Sequence, residues 1–182
     1  SATYRQQSTV TAALQERDPD NRLLARGPRF QLPAEMLRDN VLAVSGLLVN
    51  KVGGPPVRPY EVAVSFKPVG RDKGEGLYRR SLYTFWKRSA PPASMEILDA
   101  PNRELCTVRR VRTNTPLQAL ALLNDVQFVE AAREFGARIM RQGGASTGDR
   151  VTFAFRCVTA RVPDAEELRI LIAAFTAQYD EY

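Results

Sequence analysis

The chain contains no histidine and only two cysteines in 182 residues. Without histidine it offers, by itself, no Ser-His-Asp or Cys-His catalytic set and no His-ligated zinc. The Cys-x-x-Cys-His attachment of haem c is excluded as well. Cys106 and Cys157 alone cannot build a four-thiolate metal site, so no metal site is expected. No run approaches the roughly 20 apolar residues that span a bilayer. Lysine is also scarce, 4 residues against 22 arginines. Arginine suits bidentate contacts to carboxylate, sulfate or phosphate, although a genome rich in Arg codons explains the same bias.

What is present is an ordinary globular composition, 44% hydrophobic, at a length that suits one domain. There is no initiator Met, and the last residues lie in a helical pattern with no Gly or Pro stop. The 182 residues are therefore expected to be one domain cut from a longer multidomain chain. The net charge of +6 is uneven. Residues 1–50 carry +1, residues 51–115 carry +7, and residues 116–182 carry −2.

Hydrophobic periodicity predicts a mainly α fold in three stretches. Residues 1–56 hold a loop and one helix. Residues 57–114 form a basic, irregular, partly extended middle with room for minor β structure. Residues 115–182 form part of a helical bundle. Asp18 and Pro19 are expected to open a short helical turn. The first long helix is expected from Pro33 to about Asn50, closed by Gly53-Gly54-Pro55-Pro56. Its apolar face carries Met36, Leu37, Val41, Val44, Leu47 and Leu48, with Glu35, Arg38 and Asp39 on the other side. A short strand is expected at Glu61–Phe66. Aromatics and Thr favour a strand over residues 77–87. Thr115-Pro116-Leu117-Gln118 reads as a capping box with Pro at the first helical position. Leu117, Leu120, Ala121 and Leu123 are then expected to be buried. A second cap at Asn124 or Asp125 opens a helix from Val126 that Gly143-Gly144 ends. Thr147 or Asp149 is expected to cap the next helix, which stops before Pro163. Asp164 and Glu167 box the last one.

One long phrase runs from Tyr78-Arg79-Arg80-Ser81-Leu82-Tyr83-Thr84-Phe85-Trp86-Lys87-Arg88 to Asp99-Ala100-Pro101. It continues through Cys106-Thr107-Val108-Arg109-Arg110 and Arg112-Thr113-Asn114-Thr115-Pro116-Leu117-Gln118-Ala119-Leu120 to Phe128-Val129-Glu130-Ala131-Ala132-Arg133. With Asp18-Pro19-Asp20-Asn21-Arg22-Leu23-Leu24 and Pro33-Ala34-Glu35-Met36-Leu37-Arg38-Asp39, it covers nearly the whole chain. It resembles the planctomycete-specific domain of unknown function found in large proteins that also carry planctomycete-type cytochrome c domains. The resemblance implies a second domain upstream, exported envelope proteins as the setting, and therefore an extracytoplasmic location. It places haem c in other domains, with no cofactor in this segment, and it brings no established activity. Val126 stands where the family has Pro, and the loop near residues 60–75 is short.

The polar density of residues 99–125 marks the candidate site. Asp99 or Glu104 would serve as base, and Cys106 among arginines would be a reactive thiol. Arg103, Arg109, Arg110, Arg112, Asn114, Asn124 and Asp125 would hold a ligand such as an acidic polysaccharide. The same side chains have a structural reading, in which the arginines pair with Asp99, Glu104 and Asp125 and tie an irregular segment to the helices. A Cys106–Cys157 disulfide is allowed in an oxidising compartment. Glu35 and Asp39 would face a metal or arginines. Tyr83, Phe85 and Trp86 would stack sugars or pack in the core. Three functions follow from different classes. The first is an accessory module packing on an upstream domain. The second is part of a polysaccharide-acting enzyme coupled to a cytochrome c domain. The third is a binder of polyanions or nucleic acid.

Overall fold

The computed structural model describes residues 6–59, 70–87 and 91–181. The strand expected at Glu61–Phe66 lies outside them. Among the described residues helices dominate and there is no sheet, so the chain is mainly α. The chain divides into two compact units, Ser1–Leu32 and Pro33–Tyr182.

In the first unit, Thr11 caps α1 (Ala12–Arg17) by accepting the Leu14 amide at 3.3 Å. Asp18 closes this helix and also opens the expected turn, its carbonyl accepting the Asn21 amide at 3.2 Å. Its carboxylate accepts the amides of Arg22 and Leu23, each at 2.8 Å. The buried Arg26 guanidinium donates to the Asp18 and Pro19 carbonyls at 2.9 and 2.7 Å. Two charged side chains bonded to backbone groups thus serve where the segment has few apolar groups to bury.

The second unit opens with α2 (Ala34–Ser45), which is shorter than the periodicity predicts. Gly46 ends it at φ 86, a left-handed conformation that costs glycine nothing. The buried positions of α2 are Ala34, Arg38, Leu42 and Ser45. Arg38 therefore lies on the core side, contrary to its expected place on the polar face. Residues 74–77 and 81–83 form 3-10 turns, and isolated bridges join Val49 to Arg79 and Val57 to Thr84. The expected strand over 77–87 is thus reduced to single bridges, because the chain turns at Ser81–Tyr83 before a ladder can extend.

Then come α3 (Ala93–Ile97), α4 (Pro116–Asn124), α5 (Val126–Gln142), α6 (Thr147–Thr159) and α7 (Ala165–Glu181). Helix α5 packs on α2, α4 and α6, and α6 packs on α7. Ala34, Met95, Leu98, Ala100 and Phe128 form the core cluster, with Leu37, Val41 and Trp86 against it. The capping box at Thr115 and Gln118 forms as the sequence predicts, and Asp125 caps α5 through the Gln127 amide at 2.9 Å. Ser146 caps α6, not Thr147 or Asp149. Asp149 supplies the reciprocal half of that box. Among the described residues, no helix is long and apolar enough to cross a membrane.

Candidate interaction site

The site is built around two glutamines that the helices bury. Gln118, 3% exposed, caps α4 and also donates to Ile97 O, Asp99 Oδ2 and Thr113 Oγ1 at 3.0, 3.0 and 2.9 Å. Asp99 sits at φ 63 and accepts the Thr113 amide at 2.6 Å and the Thr113 hydroxyl at 2.9 Å. Asp99, Thr113 and Gln118 thus latch together both ends of the loop 100–112. Burial pushes the Asp99 carboxyl up, but the hydrogen bonds from Thr113 and Gln118 together hold it below the usual range. Both of its oxygens are thus engaged by the latch.

The loop between these ends is exposed from residue 102 to 112. Arg110 reaches Glu35 on α2 at 2.7 Å. Burial pushes the Glu35 carboxyl up, and the bonds and charges of Arg110, with Arg103 beyond, outweigh it and hold the group low. Asp39 accepts the Ser81 amide at 2.7 Å and faces Arg80 at 3.4 Å. Glu35 and Asp39 therefore pair with arginines of the basic middle. No cluster of three or more metal-ligating side chains forms among the described residues.

Each candidate sugar-stacking ring has a guanidinium on its face. Arg79 lies 4.0 Å from the Tyr83 centroid, Arg58 4.9 Å from Phe85, and Arg103 4.4 Å from Trp86. Trp86 also packs on the core cluster. Glu104 is exposed and donates its amide to Asn102 Oδ1. Cys106 is an exposed free thiol and Cys157 a half-buried one, so the disulfide does not form. Arg109, Arg112 and Asn114 are exposed. Asn124 folds back on Leu120 O at 3.0 Å, and Asp125 serves as the α5 cap. The predicted ligand residues are thus spread over a loop surface and two helix ends.

The feature missed by the sequence reading is on α4. The one buried residue of this apolar helix is polar, Gln118. At 3.6 residues per turn, Leu117 lies on the flank of α4 beside Gln118, and Leu120 and Leu123 lie on the face opposite it. They are 55%, 57% and 75% exposed. Beyond the helix break at Asp125, Val126 and Val129 on α5 are also exposed, as are Leu105, Val108 and Val111 in the loop. The expected burial of Leu117, Leu120 and Leu123 is reversed because Gln118 is needed at the latch. The available sign was the capping box itself, which fixes the direction of the glutamine and so of the opposite face.

No curated protein and no solved structure matches the chain. The sequence model of one family matches residues 1–175. The chain belongs to that family, PSD1, proteins of unknown function (DUF1553).

Proposed function

We propose that the chain is an accessory packing module of a larger exported envelope protein, docking the upstream domain of the same polypeptide. The observation that carries this reading is the exposed leucines of α4, Leu117, Leu120 and Leu123, with Val126 and Val129 exposed at the start of α5. Apolar side chains left exposed together on one helix are what an interaction surface offers a partner. Covering the exposed half to three quarters of each such side chain contributes about 1–2 kcal/mol, which favours docking of a neighbouring domain. The occupant is argued from the long phrase over residues 78–133, whose resemblance implies a domain upstream. The exposed arginines of the neighbouring loop supply the polar rim that such contacts have. The catalytic alternative has less support, since the Asp99 oxygens are bound by Thr113 and Gln118.

The test is Leu120→Asp with Leu123→Asp in the polypeptide carrying both domains. The two domains are expected to unfold together in the parent and separately in the variant. A variant that unfolds as the parent does overturns the reading.

A further inference from the structure

A cavity of about 80 Å³ lies where α2, Arg58, Thr84-Phe85 and the first turns of α3 and α5 converge. Its wall has an unusual polar content. Thr84 is 8% exposed, and its Oγ1 is buried with no hydrogen-bond partner. The Nε of Arg58, also in the wall, is likewise buried without a partner. Buried donors of this kind are rarely left unmet in folded proteins, so two beside one cavity call for an acceptor inside it.

The surrounding charge indicates what that acceptor is. Arg38 brings a second guanidinium to the wall, 2% exposed and fixed by Gln127 Oε1, Arg79 O, Ser81 Oγ and Leu77 O. The only carboxylate lining the cavity among the described residues is Asp125, whose Oδ1 is taken up by the Gln127 amide. The Arg38 charge is met by Asp39, 4.0 Å from its Nη1, whereas the Arg58 guanidinium keeps an Nε without a partner. Arg58 is also held in place. Its amide donates to Asp72 Oδ2, its carbonyl accepts the Asp72 amide, each at 2.8 Å, and its guanidinium lies over Phe85. A guanidinium N–H donor and a hydroxyl, preorganised in this way, fit an oxygen-bearing anion.

Size narrows the choice. The cavity is several times the roughly 15 Å³ that one water needs. It is far below the about 300 Å³ of an ordinary small-molecule pocket. A single sulfate, phosphate or carboxylate group fits, and a sugar ring does not.

We propose that the Arg38, Arg58 and Thr84 cavity is a binding site for one small oxyanion, either free or carried as a pendant group on a larger molecule. It stands independently of the packing role, because none of these side chains is on α4.

Titration calorimetry on the chain tests it with four probes: sulfate, acetate, galacturonate and galactose 6-sulfate. At least one is expected to bind saturably. Thr84→Val, which keeps the side-chain shape, and Arg58→Met are each expected to weaken that binding at least tenfold with an unchanged circular dichroism spectrum. Arg109→Ala on the exposed loop is expected to leave it unchanged. Binding of the sugar derivatives with the same sensitivity assigns a pendant group, and binding of the inorganic ions alone assigns a free ion. Two results overturn the proposal: none of the probes binds saturably, or Thr84→Val binds as tightly as the parent. In either case the cavity holds water only.

Discussion

The Arg38 guanidinium donates to the side-chain carbonyl of Gln127 at 2.8 Å, joining α2 to α5 across 89 residues of chain. Gln127 in turn donates to Ser94 Oγ at 2.9 Å, and Arg38 also holds the backbone of residues 77 and 79. One arginine therefore organises both the helix pair and the irregular middle. Where a small core leaves loop carbonyls buried, a five-donor fork is one of few side chains that satisfies several at once.

Replacing Arg38 with Met strands these acceptors. The expected loss is about 3 kcal/mol in urea unfolding, in the range seen for breaking buried charged networks. Arg38→Lys is expected to recover less than half, because an ammonium cannot span the same set of acceptors. A loss below about 1 kcal/mol would contradict the organising role.

The Asp99 latch predicts an acid-sensitive loop. The Asp99 and Glu35 carboxyls are held below their ordinary range in the folded chain. A depressed carboxyl adds stability that is complete above its unfolded value and is lost as pH falls through its folded value. Cleavage by an acid-tolerant protease within residues 102–112 is expected to accelerate as pH falls through that window. Asp99→Asn is expected to give fast cleavage at neutral pH as well. A pH-independent cleavage rate in the parent would count against the latch.

At the turn between α6 and α7, Arg161 forks Glu167, with Nη1 donating to Oε2 at 2.7 Å. This bond, together with the Asp164 amide, holds the Glu167 carboxyl down at about 2. A carboxyl-resolved NMR titration is expected to find it there. Arg161→Ala is expected to return it most of the way to the ordinary glutamate range. An ordinary value in the parent would show that the pair does not persist in solution.

Much of the helical half is legible in the sequence because its ends are local chemistry. The Thr115 box, the Asp125 cap and the Asp164 box depend on residues two to three apart, and they form as read. Gly143 ends α5 by donating its amide to Ile139 O at 2.7 Å, also as read. What eludes the sequence is long-range. Nothing local to Arg38 shows that it will meet carbonyls about 40 residues away. Its four-residue step from Ala34 and to Leu42 is the sole hint of burial. The site residues divide in the same way. Asp99, expected as a base, takes its place in the fold from Thr113 and Gln118, whereas Arg58 and Thr84 acquire meaning only from the cavity between them.

The exposed leucines of α4 are the center of the functional account, and thiol labelling tests it most directly. In a background of Cys106→Ser and Cys157→Ser, Leu120→Cys is labelled in this chain alone and in the polypeptide that also carries the upstream domain. The account predicts rapid labelling in the first and at least tenfold protection in the second. Equal labelling rates in the two would contradict it.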